Sequence, residues 1–288
     1  MSLAFWVIQT LNSLALGGLL FLLSVGFSLI FGLMRVANLT HGAYFMLGAY
    51  VGLSVLQAGW GFVAAVASGA AVIAVTGGLV QRLILSKLRG RLLAQVLVTL
   101  GLAFIIADLC LMLWSGDPMQ LPAPPVLTTP IRMFGFVFPG YRVFVVGVSL
   151  TVALLLWFLI ERTRIGAMVR AGVDDMQMAR GMGIPVPRLF TLVFCLGAAL
   201  AGMGGVLAGP ILSVYPGLDA EMLPLALVVV ILGGVGSLLG AFVGSFVTGF
   251  IYTFGQALLP DFAYVILFLP MIVVLMFKPD GLFGRQSA

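Results

Sequence analysis

Apolar runs, punctuated by short polar or glycine- and proline-rich stretches, follow one another at 8–31, 42–57, 62–82, 92–115, 142–160, 189–212, 222–235, 238–258 and 262–278. Runs this continuous predict helices that are hydrophobic all round, which is the pattern of a helix in lipid and not of an amphipathic surface helix. A helix needs about 17–25 residues to cross a hydrocarbon core ~30 Å thick. The runs at 42–57 and 222–235 fall short of that. The expected fold is therefore all-α: a polytopic membrane helix bundle of eight or nine spans, these two short, broken or re-entrant. Residues 1–288 are expected to form a single transmembrane domain, with its main connections at 116–141 and 161–188.

Composition agrees with the pattern. Hydrophobic residues make up 62% of the chain and charged residues 8%, against roughly 45–50% and about 25% in soluble domains, which leaves no sequence for a soluble domain larger than a loop. The N-terminus lacks a basic n-region and a small-residue cleavage site, so the first apolar run is expected to stay as the first span. Cys110 and Cys195 both fall in apolar runs, where a thiol acts as a small hydrophobe, and imply no disulfide framework.

The net charge of +5 is unevenly placed. Four cations lie between Arg82 and Arg91, five between Arg162 and Arg188, and Lys278 and Arg285 sit near the end. The 116–141 connection carries six prolines, Asp117 and only Arg132. Because inner loops attract Lys and Arg, nine crossings would put Arg35 and all three basic segments inside and 116–141 outside. The basic balance is thus explained by the membrane, with lipid as a partner and no nucleic acid.

Small residues recur every fourth position at Gly197, Ala201, Gly205 and Gly209, at Gly236, Gly240 and Gly244, and at Gly48 and Gly52. That spacing puts them on one helix face, as seams where another backbone comes close. LGAYVG at 47–52 is echoed by LGAFVG at 239–244, each after an irregular segment: NLTHG at 38–42 and GGVGS at 233–237. Paired, interrupted hydrophobic segments point to a site near the membrane midplane, since unwound backbone is tolerated there only where it lines a cavity. Asn38, Thr40, His41, Gly42, Gly233, Gly234, Gly236 and Ser237 are accordingly the candidate pathway residues. Two alternatives stand beside that reading. Asn38, Thr40 and His41 would cap and satisfy helix ends at a break, and the glycines would let helices touch.

Enzymatic chemistry has little to stand on. His41 is the single histidine, with no Cys, Asp or Glu close in sequence to share a metal. Pairing it with Ser237 as an intramembrane protease would need a positioned base and oxyanion donors that nothing in the sequence announces. Asp108 is the one acid inside an apolar run and the candidate for a proton or ion path; Asp219, Glu221 and Asp261 read as solvated charges in short outer loops. Lys87 and Lys278 both lack the GxxxxG context of a phosphate-binding loop. ATP therefore has no such site here, and an ATP-driven motor would have to be another polypeptide, gripped from the cytoplasm.

Residues 161–188 suit that grip. They hold eight of the chain's 14 basic and 9 acidic residues. From Gly166 to about Gly181 the segment is helix-compatible, and Pro185 and Pro187 end the run. Met168, Ala171, Gly172, Met176 and Ala179 give a small, apolar face, while Arg170, Asp174, Asp175 and Arg180 supply polar contacts. Since paired acids are repelled by anionic lipid, docking in the groove of a partner protein is the favoured reading.

Four ordered segments carry a resemblance: GLMRVANLTHGAYFMLGAY at 32–50, RAGVDDMQMARGMGI at 170–184, FCLGAALAGMGGVLAGP at 194–210 and VVVILGGVGSLLGAFVG at 228–244. Together they resemble the permeases of branched-chain amino acid ABC importers, the LivH-type group, over essentially the whole chain. The resemblance implies a multi-pass subunit of the bacterial inner membrane and no catalysis by this chain. It implies as partners a second homologous permease, two ATPases that hold the ATP and magnesium, and a periplasmic binding protein. It implies for Arg170, Asp174, Asp175, Ala179, Arg180 and Gly183 a role in coupling to the ATPases, although the literal Glu-Ala-Ala of the general importer motif is absent. Similar permeases serve branched-chain amino acids, urea, short amides or aromatic acids. The rival reading is a stand-alone secondary transporter or channel using an ion gradient through Asp108 or His41.

Overall fold

The computed structural model describes residues 3–34, 38–133 and 136–284. Arg35 and Arg285, both assigned to the inner side from sequence, lie outside these. All nine apolar runs form helices. The order is α1 (Leu3–Met34), α2 (His41–Gln57), α3 (Phe62–Leu83), α4 (Leu92–Trp114), α5 (Pro125–Thr128), a hairpin of β1 (Ile131–Met133) and β2 (Phe136–Phe138), and α6 (Gly140–Arg162). There follow α7 (Arg164–Asp174), α8 (Met176–Gly181), α9 (Val186–Leu212), α10 (Leu218–Gly233), α11 (Leu238–Leu258) and α12 (Ala263–Phe277). The expected all-α membrane bundle is thus present, interrupted by one two-stranded hairpin.

Among the described residues six helices are long and apolar enough to cross a membrane: α1, α3 extended by a 3-10 turn to Leu88, α4, α6, α9 and α11. The 17, 16 and 15 residues of α2, α10 and α12 give about 22–26 Å of helix, less than the ~30 Å core. Helix length therefore supports six spans and three short helices, one more short element than the sequence pattern predicts.

Burial ranks the helices. In α1, 89% of the apolar window is buried and in α9 67%, but only 22% in α4 and 17% in α6; α1 and α9 form the centre and α4 and α6 the rim. The two central helices cross where Gly26 meets Gly197, and Leu22 faces Gly204, so they run antiparallel. Either glycine replaced by a larger residue would drive backbone against backbone, since a Cβ on Gly26 would lie 2.5 Å from the Gly197 carbonyl oxygen.

Around that crossing the chain repeats itself in the same element order with its direction inverted. α1 packs along α11 as α9 packs along α3, α2 lies on α3 as α10 lies on α11, and α4 touches α2 as α12 touches α10. α2 and α10 meet each other at their first turns, Gly42 against Asp219 and Leu223. The repeat thus equates α2 with α10. The hexamer echo matches different elements, because LGAYVG lies inside α2 whereas LGAFVG opens α11. In so apolar a composition, short local similarity does not track the packing that defines the repeat.

The glycine stripes are seams in this packing. Gly48 meets Gly202, Gly205 meets the Phe45 carbonyl, Gly244 meets the Val229 carbonyl, and Gly209 meets Leu121. Without a hydrophobic driving force between helices in lipid, such close backbone approach supplies the dispersion contact that holds them together.

Candidate functional site

At one end of the bundle the chain folds into a small, tightly anchored projection. Thr163 caps α7, its hydroxyl accepting from Gly166 N at 3.2 Å. Asp175 caps α8, its Oδ1 accepting from Gln177 N at 2.8 Å and Met178 N at 2.9 Å. The continuous helix expected over 166–181 is therefore two helices, broken at Asp175 in extended conformation. The reason is local: an Asp carboxylate gains more by taking two free amide donors at a helix start than by sitting inside a helix. Gly183, at φ +82°, then reverses the chain, and Ile184 N returns to the Ala179 carbonyl.

The apolar face assigned to a partner turns out to face this chain's own core. Gly166, Val169, Gly172 and Ala179 are buried, with Gly172 against Leu33 and Leu189, and Met168 and Met176 pack against the core. Helical periodicity identifies a face, not its neighbour. Of the six coupling candidates, Asp174, Asp175, Arg180 and Gly183 are exposed, whereas Ala179 is buried. Arg170 turns back to the Ile160 carbonyl and pairs with Glu161 at 3.4 Å, tying α7 to the end of α6. Sequence reasoning missed Met178 and Met182, 64% and 77% exposed, which are the apolar part of the outward face.

Asp175 gives a direct check. Asp175→Lys removes the cap, which costs about 0.5–2 kcal/mol, so amide exchange of Gln177 and Met178 should speed up about tenfold. Asp175→Asn, which keeps an accepting oxygen, should leave their exchange near wild type. Hydrogen-exchange mass spectrometry of the peptide over α8 reads both.

NLTHG lies deeper. His41 Nε2 donates to the Leu23 carbonyl at 2.9 Å, eleven residues from the end of α1 at Met34, or about 16 Å along the helix. Thr40 does not cap α2. Its hydroxyl donates instead to the Thr99 carbonyl on α4 at 2.8 Å, and the Thr99 hydroxyl accepts from Leu39 N at 3.2 Å. The Asn38 side-chain oxygen accepts from Thr40 N at 3.2 Å. Asn38, Thr40, His41 and Gly42 are all buried, His41 between the rings of Phe27 and Tyr44. Asn38 Nδ2, His41 Nδ1 and the Tyr44 hydroxyl remain buried with no protein partner, leaving an amide NH2 with two donors, one acceptor nitrogen and one hydroxyl of unspent capacity.

GGVGS is a different kind of place. Ser237 caps α11, accepting from Gly240 N at 3.0 Å, and Gly236 N donates to Ser28 Oγ at 3.1 Å. Gly233 abuts Gly240. The C-terminal strap closes over it, as Leu282 N and Phe283 N donate to the Leu232 and Gly233 carbonyls at 2.9 and 3.0 Å. These bonds satisfy the free carbonyls at the end of α10. NLTHG and GGVGS thus meet different parts of α1, and α2 faces the start of α10 rather than its end. Two cavities, about 470 Å³ at the α2–α3 turn and about 360 Å³ beside α8, include none of the eight pathway candidates.

Two acids behave differently from expectation. Asp219 and Glu221 belong to the first turn of α10, where acids suit the helix dipole, and Glu221 is not free in solvent. It accepts from the hydroxyls of Tyr215 and of Tyr252 on α11, the latter at 3.4 Å. The DxE pair right after Gly217 was the available sign of a helix start. Asp108 lies on the exposed face of α4, away from the central helices, and the described residues include no group of three or more His, Cys, Asp or Glu side chains placed to hold a metal.

Residues 9–275 match the family described as branched-chain amino acid transport system, permease component. The chain is 28% identical to the high-affinity branched-chain amino acid permease LivH of Escherichia coli K12, over 97% of this chain and 96% of that one. Identity and coverage are the same with BraD of Pseudomonas aeruginosa. Similarity reaches the fructose import permease FrcC of Rhizobium meliloti at 28% identity, over 63% of this chain and 54% of that protein. No solved structure matches. The chain, a helical multi-pass membrane protein and a transport subunit by kinship, belongs to the branched-chain amino acid permease family.

Proposed function

We propose that this chain is an inner-membrane permease subunit of an ATP-driven importer of branched-chain or related small amino acids or amides. It pairs with a second permease, two ATPase subunits and a periplasmic binding protein, and ATP with its magnesium stays on the ATPases. The observation that carries the reading is the capped, tied-down α7–α8 projection at one end of the bundle, in a permease that has no phosphate-binding loop of its own. A projection held by two caps and an ion pair transmits a push; a loose loop would absorb it. Closure of the ATPases would press on α8 and, through Gly172 and Leu33, on α1.

The binding protein supplies selectivity, so the pathway needs only a weak, transient site. The meeting of α2 and α10, beside the unspent polar atoms of Asn38, His41 and Tyr44, is where it lies.

Uptake tests the whole reading. Vesicles holding the permease with its copurifying ATPases should accumulate leucine, isoleucine or valine only with internal ATP and added binding protein. Accumulation driven by a proton gradient without ATP would support the secondary-transporter reading instead. Orientation is checked separately: in a background lacking Cys110 and Cys195, Lys87→Cys should react with an impermeant thiol reagent from the cytoplasmic side, and Thr128→Cys from the opposite side. Labelling of both from one side overturns it.

A further inference from the structure

The 360 Å³ cavity beside α8 is lined by Met34, Leu85, Arg89, Gln95, Met176, Arg180 and Phe190, among others. Each of its walls is the end of an element: the end of α1, the turn between α3 and α4, the start of α4, α8 and the start of α9. Two of these are the central helices, so the groove opens at the end of the bundle and not on the lipid-facing flank of the rim helices.

Two cations border it. The Arg89 guanidinium lies 4.9 Å from the centre of the Phe190 ring, a cation–π contact that fixes its direction. The turn carrying it is held by Gln95 Nε2 donating to the Leu88 carbonyl at 2.9 Å. Arg180 projects from the capped helix α8, and its Nη2 lies 3.6 Å from Met176 Sδ. Partial desolvation, and then the charge of Arg180, push the Arg89 guanidinium below its usual range. Neither Arg89 nor Arg180 forms an ion pair with a carboxylate among the described residues.

Two guanidinium groups beside one open groove suit the planar, two-oxygen shape of a carboxylate. We infer that the groove between α8 and the α3–α4 turn receives an acidic side chain of the partner ATPase, clamped between Arg89 and Arg180. The inference rests on the reading of α7–α8 as the ATPase-coupling projection, and adds the α3–α4 turn as the second wall of the seat. A headgroup of an anionic lipid is the competing occupant. Its access is poorer, because the walls belong to the bundle's central end.

The test uses the permease in nanodiscs and the ATPases that copurify with it, with affinity measured at low and high salt. Arg89→Gln and Arg180→Gln should each weaken ATPase binding about tenfold and flatten its salt dependence. Arg89→Glu should weaken it further, and be rescued by changing one Asp or Glu of the ATPase to Arg. Met178→Asp, outside the groove on α8, serves as the reference for coupling itself. If Met178→Asp weakens binding and the arginine variants do not, the groove is wrong and the coupling reading stands. If none of the variants changes affinity, or no ATPase copurifies, both fall. If the arginine variants lose only a preference for phosphatidylglycerol over phosphatidylcholine nanodiscs, the occupant is lipid and the inference is overturned. Unchanged thermal midpoints of the Gln variants exclude misfolding as the cause.

Discussion

Gly42→Leu is expected to abolish uptake while the complex still assembles. Gly42 sits in the first turn of α2, and a Cβ there would lie 2.7 Å from the Asp219 carbonyl oxygen and 3.0 Å from Leu223 Cβ. The carbonyl belongs to the first turn of α10 and cannot rotate away as a side-chain tip would. Leucine therefore forces the two short helices apart. Overpacking of this kind costs about 1–3 kcal/mol, less than the 5–15 kcal/mol that holds a typical domain together, so the fold survives. What is lost is the contact between the two elements that the inverted repeat places opposite each other. His41→Gln, which keeps a donor for the Leu23 carbonyl, should retain most uptake, and Asp108→Asn should change little because that carboxylate faces outward on α4. ATP-driven uptake per assembled complex decides it. Normal transport by Gly42→Leu moves the route elsewhere, and loss of transport in Asp108→Asn would bring the ion-gradient alternative back.

Gly234→Leu should also stop uptake, by a different physical route. Gly234 has φ +97° and ψ 131°, a conformation essentially closed to residues with a Cβ, at a cost of about 1–3 kcal/mol. A Cβ would also collide with the amide of Gly284 and sit 3.0 Å from the Asp280 carbonyl oxygen. The strap must then lift, losing its two bonds to the Leu232 and Gly233 carbonyls, each worth about 0.5–1.5 kcal/mol. Amide exchange of Leu282 and Phe283 should accelerate at least tenfold, with the central crossing of α1 and α9 still protected. Truncation after Phe277 separates the causes: if the truncated chain transports normally, uptake loss in Gly234→Leu comes from the α10 terminus itself. Unchanged protection of Leu282 and Phe283 in Gly234→Leu would show that the strap is not held at this glycine.

Much of the fold was readable. The run at 238–258 coincides with α11, and 42–57, 62–82, 92–115 and 262–278 each fall within one residue of a helix at both ends, because in lipid a helix ends where polar and turn-forming residues begin. The start of α10 was placed four residues late: Asp219 and Glu221 read as loop charges, although they are the acidic first turn of a helix. In the 161–188 segment, the sequence located the projection and its charged residues but not the break at Asp175, since paired aspartates fit both a helix surface and a cap.

By itself, then, the sequence determined the membrane class, the number of the apolar helices, the face of α7 and α8 that is apolar, and the family. Those properties depend on residues near one another in the chain, where hydrophobicity and helical period act directly. The tertiary structure alone decided that the apolar face of α7–α8 is turned inward, that Thr40 is bound to Thr99, that α2 meets the start of α10, and that Arg89 and Arg180 share a groove. Each joins residues distant in sequence, and a glycine or a hydroxyl carries no mark of which backbone will come within reach. That choice is made only when the helices pack, because in a bilayer close fit and interhelical hydrogen bonds, not the burial of apolar surface from water, select one neighbour over another.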